Sequence, residues 1–399
     1  MKFGDPVSLA APSGMYPLFV RVGDLLPSPG PEIIVGSMVI DFENAGLEMD
    51  SAVQVFATDG NGSVLTTPAW IWQGSDEYPT VDQNTQSRRE LSGVELIDLD
   101  GNTKLDLVVG MRERILWKFQ GESSLNDGGN IPVADRVNAM AVGNFGQGAP
   151  FDLFYTYDDS SLGWQGTYAL AASSMPYGLS DQTPPWSGDL PGRGSVSAVA
   201  DVDLKFGQDV VVLASPDDQS TPVATYSLLL RTNATGNALF DIQQGAAKVA
   251  GVEEIEIFDV DGSAYPDLMI TVSGMEPTNP LDPNSWGGTG SVEGVSLALN
   301  DGTGNFPTST LIPVHDRAAG LTSGDFDCDG VRDLVVGDFY GNLYFLRGNG
   351  TSFEAASLIT TLNGASYRIE SGDFDNDGRL DLAVVSALGG NTFVVMQNG

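Results

Sequence analysis

Ser323-Gly-Asp-Phe-Asp-Cys-Asp-Gly-Val-Arg-Asp-Leu-Val-Val-Gly337 decides how this chain folds, because Ser371-Gly-Asp-Phe-Asp-Asn-Asp-Gly-Arg-Leu-Asp-Leu-Ala-Val-Val385 repeats it in register. Both read Asp-x-Asp-x-Asp-Gly-x-x-Asp and run straight into an apolar stretch. The frame recurs upstream at Asp98–Asp106, Asp201–Asp209 and Asp259–Asp267, each again followed by Val, Leu, Ile or Met. Two worn copies complete the series: Asp24 to Glu32, before Ile33, and Asn144 to Asp152, before Leu153. Copies therefore begin at Asp24, Asp98, Asn144, Asp201, Asp259, Asp325 and Asp373, with a mean spacing of about 58 residues.

Each copy sets an apolar run, a polar loop and a second apolar run end to end, the pattern of two β-strands joined by a structured turn. Further strand candidates lie between copies, such as Asn342–Leu346 and Gly294–Asn300, with turn signatures after them. Four strands per period of this length predict an all-β, seven-bladed β-propeller with four-stranded antiparallel blades. A solenoid is the structural alternative, but its repeats are usually shorter. Residues 1–399 then form a single domain, since each repeat builds its own slice of core and so evades the usual size limit. Val394-Val-Met-Gln-Asn-Gly399 matches the third strand and turn of the preceding blade, 344–350. Phe3 answers Phe353 and Leu9 lies close to Leu358, so residues near 3–11 are expected to supply the outer strand of the last blade. That would close the ring and remove an exposed sheet edge.

Side chains at positions 1, 3, 5 and 9 of the loop frame, with the carbonyl of position 7, can converge as oxygen ligands. Hard, anionic oxygens in a flexible turn suit Ca²⁺ over Mg²⁺ or Zn²⁺, and a glycine at position 6 permits the sharp reversal. Without a cation, carboxylates this close repel by roughly 1 kcal/mol per pair even in a watery dielectric. The strongest candidate sites are Asp325, Asp327, Asp329 and Asp333 with the Val331 carbonyl, and Asp373, Asp375, Asp377 and Asp381 with the Arg379 carbonyl. Next come Asp98, Asp100, Asn102 and Asp106 with Lys104, and Asp259, Asp261, Ser263 and Asp267 with Tyr265. Both have three carboxylates plus a neutral oxygen and lack Gly at position 6, so weaker binding is expected. In the loop of Asp201, Asp203 and Asp209, position 5 is Lys205, whose ammonium could replace the metal; both outcomes stay open. The Asp24 and Asn144 copies have lost most ligands and are expected to hold their turns by hydrogen bonds. A lone Asp-Gly loop would read simply as a good turn; several frames in register do not.

Composition narrows the function. Acidic residues number 53 against 18 basic ones, a formal net charge of -35. That argues against nucleic acid and against an anionic membrane surface, both of which call for Lys and Arg. No apolar run approaches the roughly 18 residues needed to span a bilayer. The first residues show no apolar h-region, so an export signal was either removed or never there. Cys328 is the only cysteine, which excludes an intrachain disulfide and leaves metal as the expected cross-link. It occupies position 4, a non-ligand position expected to face solvent. His315 is the only histidine, which rules out a His-rich transition-metal site within one chain; a lyase base could be His, Tyr, Lys or Arg, and His315 reads as a surface or strand-end residue. No Gly-x-Ser-x-Gly elbow or phosphate loop is present.

The Gly-Asp-Phe-Asp-x-Asp-Gly-x-x-Asp-Leu runs at 324–334 and 372–382 resemble the FG-GAP/VCBS repeats of integrin α-subunit heads and of many bacterial and fungal extracellular proteins. The resemblance implies a seven-bladed propeller with calcium loops on one face and ligand binding elsewhere, on the opposite face or between blades. It implies an extracellular or cell-surface binding module, adhesion- or lectin-like, for carbohydrate or a protein partner. The alternatives are a polysaccharide lyase or hydrolase, or a subunit of a surface assembly. Aromatic residues in the long insertions are candidate ligand contacts, because sugar C–H faces stack on rings. These are Trp164 and Trp186, with Tyr168 and Tyr177, in 158–195; Trp286 in 278–290; and Trp70, Trp72 and Tyr78 in 69–89. The bland reading is that such rings plug gaps between blades.

Overall fold

The computed structural model describes residues 2–39, 50–59, 63–77, 89–121, 124–145, 152–159, 165–173, 179–181, 187–189, 193–205, 207–215, 225–232, 240–249, 254–272, 293–314, 317–386 and 390–398. The chain runs through β1 (Lys2–Phe3) and β2 (Val7–Ala10) into a four-stranded sheet of β3 (Tyr16–Gly23), β4 (Glu32–Met38), β5 (Ser51–Phe56) and β6 (Trp70–Gln73). A single helical turn, α1 (Gly74–Glu77), follows. Strands β7 (Leu91–Ile97), β8 (Asp106–Gln120), β9 (Leu125–Gly143), β10 (Asp152–Asp159), β11 (Gln165–Ser173), β12 (Leu179–Asp181) and β13 (Ser187–Asp189) share one seven-stranded sheet.

Three four-stranded sheets come next. The first holds β14 (Arg193–Ala200), β15 (Asp209–Ser215), β16 (Thr225–Thr232) and β17 (Phe240–Val249). The second holds β18 (Ile255–Phe258), β19 (Asp267–Val272), β20 (Gly294–Ala298) and β21 (Ser309–Pro313). The third holds β22 (Ala318–Gly324), β23 (Asp333–Asp338), β24 (Asn342–Leu346) and β25 (Ser357–Thr361). Finally β26 (Ser366–Gly372), β27 (Asp381–Ser386) and β28 (Asn391–Val395) form a sheet whose fourth strand is β2, with Val7 opposite Val394 and Ala10 opposite Asn391. Strand β29 (Gln397–Asn398) pairs with β1. All pairings are antiparallel.

The second strand of each repeat explains the apolar run after each loop. β4, β19, β23 and β27 are buried along essentially their whole length, so both faces are apolar and the two-residue alternation disappears. The first strands make the contacts between sheets: β3 packs on β7, β9 on β14, β14 on β18, β18 on β22, β22 on β26, and β26 on β3. The core lies between sheets as separate layers, for example Val20, Ile33 and Val35 against Phe374, Val385 and Val394.

The second and third repeats are joined only because β9 runs on from one into the other: its first part, up to Arg136, pairs with β8, and Val137 to Gly143 pair with β10. β8 folds back on itself at Glu113, whose φ is 68°, for the Gln120 N–H lies 2.9 Å from the Asp106 carboxylate at its other end, so its two arms are the second and third strands of that repeat.

Candidate metal centres

Position 9 is built first. In every copy it is a buried acid that opens the second strand: Glu32, Asp106, Asp152, Asp209, Asp267, Asp333 and Asp381. Each accepts the backbone N–H of position 2, seven residues earlier, from Leu25, Leu99, Phe145, Val202, Val260, Phe326 and Phe374 in turn. In four copies the other carboxylate oxygen accepts an N–H at the end of the third strand or just past it: Gln120 (2.9 Å), Asn300 (2.8 Å), Gly348 (2.8 Å) and Gln397 (2.7 Å). The side chain of position 2 is itself buried, which is why an apolar residue sits between two aspartates. One acid thus ties loop, second strand and third strand together. The worn copies keep the part of this tie between loop and second strand, through Glu32 and Asp152, after losing the rest of the pattern. Burial pushes the carboxyls of Asp106 and Asp152 up to about 6 and that of Asp381 up to about 7, against the pull of the N–H groups they accept.

Around that anchor, positions 1 and 3 fold in. Asp98, Asp100 and Asp106 bring one oxygen each within 4.8 Å of one another, and so do Asp201, Asp203 and Asp209; Asp259, Asp261 and Asp267; Asp325, Asp327 and Asp333; and Asp373, Asp375 and Asp381. In all five, the N–H of position 5 donates to the carboxylates of positions 1 and 3. The side chains at position 5 turn toward the next residue but one: Asn102, Ser263, Asp329 and Asp377 accept the N–H of Lys104, Tyr265, Val331 and Arg379. Three carboxylate oxygens this close, with no nitrogen or sulfur donor among them, fit a hard divalent cation.

Two basic side chains modify the set. Lys205 Nζ lies 3.1 Å from Asp203, where its ammonium offsets one of the three converging carboxylates. Arg347, just past β24, straddles Asp327 and Asp329 at 2.7 Å each and offsets charge in one of the two loops richest in it. Its spacing from the frame gave no sequence signal.

The loops need two left-handed residues, not one. Positions 4 and 6 both have positive φ: Gly101 and Thr103, Gly262 and Ala264, Cys328 and Gly330, Asn376 and Gly378. The Asp98 and Asp259 loops therefore have their glycine at position 4 and reach the same geometry. The missing Gly at position 6 costs only the strain of one non-glycine residue, about 1 kcal/mol. Gly330→Ala should then lose roughly 1–2 kcal/mol although nothing lies within 4 Å of the added Cβ, while Ala264→Gly should gain up to about 0.5 kcal/mol. Urea midpoints of the two variants, moving in opposite directions, check this.

Away from the loops, the first strands bring charges together. Arg21 reaches Glu95 at 2.7 Å and Glu370 at 2.9 Å, and Arg368 pairs with Glu254. Glu256 accepts the Ser323 hydroxyl at 3.2 Å, and Arg332 donates to the same hydroxyl. Burial, with Glu370 and Glu254 nearby, pushes the Glu256 carboxyl up to about 8. Burial also raises Glu370 to about 7, against the pull of Arg21.

Trp164, Trp186 and Trp286 lie outside the described residues, as do Tyr78, Tyr177 and His315. Trp72 is 4% exposed and packs with Val53, Val55 and Leu91, so it plugs a core layer. Cys328 is exposed, at position 4.

No curated protein matches the chain by sequence. Among solved structures it is similar to BBS1N in its complex with ARL6DN, soaked with lead, with a TM-score of 0.53 and 11% identity over 98% of this chain and 97% of that one. At that identity the likeness concerns the fold alone, which is that of a β-propeller. Residues 325–384 match the family described as FG-GAP-like repeat, so the most regular stretch of the chain is a repeat of that kind on an all-β, propeller-like fold.

Proposed function

We propose that residues 1–399 form one seven-bladed propeller, stabilised by calcium in its aspartate loops, that acts outside the cell or at its surface as a binding module for carbohydrate or a protein partner. The observation that carries the calcium reading is the convergence of three carboxylates in each of five loops built alike. Position 5 and the position 7 carbonyl lie next in the chain to complete an oxygen shell of the size Ca²⁺ takes. Ring closure is supported by the unbroken succession of first-strand contacts that returns from β26 to β3, and by β2 in the last sheet. Loop-to-loop bonds agree with it: Asn376 donates to the Pro29 carbonyl, and Asn300 to that of Val202. An acid-rich chain with one cysteine, cross-linked by metal, suits a calcium-rich oxidising medium.

Calorimetry tests this directly. Millimolar calcium should raise Tm by about 10 °C over EDTA, the sum of several sites each contributing near 2–3 kcal/mol. A melting temperature indifferent to both would end the calcium reading. A glycan array run in calcium and in chelator would then separate carbohydrate from protein partners.

A further inference from the structure

We propose that the end of the sheets opposite the aspartate loops carries a site for an anionic saccharide, formed by Arg317, Phe339, Tyr340 and Tyr367. The proposal gives a ligand class to the binding reading above and rests on it. Strand β23 starts at a loop, with Asp333, and ends at Asp338, so the turn at 339–341 lies at the far end. Asp338 is fully buried and organises that turn. Its carboxylate accepts the N–H groups of Tyr340 and Asn342 at 2.8 Å, the Asn342 amide at 2.7 Å and the Tyr344 hydroxyl at 3.5 Å. So many bonds to one buried acid make a rigid turn, yet Tyr340 is left 58% exposed. With its backbone fixed in advance and only two side-chain torsions to order, such a ring loses little entropy when a ligand settles on it.

Phe339, the preceding residue, faces Tyr367 edge-on at 5.0 Å, and the Arg317 guanidinium lies over its ring at 5.6 Å. Its N–H donates to the Arg317 carbonyl, which fixes the two segments together. Arg317 is strained, with φ at 41°, and strained residues persist where the surroundings hold them for use. Its backbone N–H donates to Glu293, but among the described residues no carboxylate lies within ion-pair range of its guanidinium. Arg21, Arg112, Arg136, Arg347 and Arg368 all have acidic partners, whereas Arg332, which also lies over a phenylalanine ring, gives its guanidinium to the Ser323 hydroxyl. A planar guanidinium fork matches a carboxylate or sulfate, and the neighbouring rings match the C–H face of a pyranose. An acidic peptide would use the arginine and leave the Tyr340 face idle.

Isothermal titration calorimetry of the full chain in calcium tests the site with four probes: a trigalacturonate, a sulfated disaccharide, a neutral galactose trimer and a short acidic peptide. Either anionic saccharide should bind, and the first two arms tell carboxylate from sulfate. Arg317→Met and Tyr340→Ala should each weaken that binding at least tenfold with Tm unchanged. The site is refuted if the neutral trimer binds as tightly as the anionic sugars, if the peptide binds better, if neither anionic sugar binds, or if both variants keep full affinity. Glycan binding untouched by either substitution would refute this site and leave the binding module standing; the lack of any glycan or protein ligand would sink both.

Discussion

Asp381→Ala is expected to cost about 3 kcal/mol or more, and to cost it in EDTA as well as in calcium. The two carboxylate oxygens accept the N–H of Phe374 at 2.8 Å and that of Gln397 at 2.7 Å in a fully buried setting. Alanine leaves both donors unmet, at roughly 1–3 kcal/mol each. Asp381→Asn should lose about half as much, because its one carbonyl can serve one donor while its amide faces the other. Asp325→Ala is the contrast. That side chain accepts N–H groups in an exposed loop, from Asp329 and Gly330, where water can replace it. It should cost under about 1 kcal/mol in EDTA but remove a site's share of the calcium effect. Urea unfolding of the three variants with and without chelator reads this directly. An Asp381→Ala chain as stable as the parent in EDTA would reduce position 9 to a metal ligand.

Stability should also fall as pH rises from 5 toward 9, and Glu256→Gln should remove part of that fall. Glu256 titrates near 8 in the folded chain against 4.5 when free, and Glu370 near 7. Between the free and folded values the native state holds protons that the unfolded chain has released, so raising the pH favours unfolding across that window. The contribution is intact below about 4.5 and spent above about 8. Four glutamates, at 95, 254, 256 and 370, share this cluster with Arg21 and Arg368, and Arg332 reaches it through Ser323. Partial contact with water keeps the effect to roughly 2 kcal/mol. Glutamine preserves the acceptor for the Ser323 hydroxyl and removes the charge. Thermal melts at pH 5 and pH 8.5 should show Glu256→Gln matching the parent at the lower value and exceeding it at the higher. Parallel curves for the two proteins would refute the assignment.

The aspartate loops were legible because all their ligand residues fall within nine consecutive positions, followed by an apolar run too long for a half-exposed strand. The position 9 tie is as regular in space, yet Glu32 and Asp152 hide it in the sequence: once positions 1, 3 and 5 have drifted, nothing marks a surviving acid as important. The glycine rule misled for a related reason. A motif read as Gly at position 6 missed that position 4 is left-handed too, so Gly101 and Gly262 went uncounted. Arg347 on Asp327, and Arg317 on Phe339, join segments whose spacing differs from repeat to repeat, and only the packed sheets bring them together.

The pairing of β2 with β28 sets a schedule for folding. Residues 7–10 leave the ribosome long before their partners at 391–394. Until then β2 is a loose ribbon with unmet backbone groups, in a protein whose slowest step must be its longest loop closure. Asp5 and Pro6, immediately before it, are the residue types that discourage a waiting strand from joining a stranger.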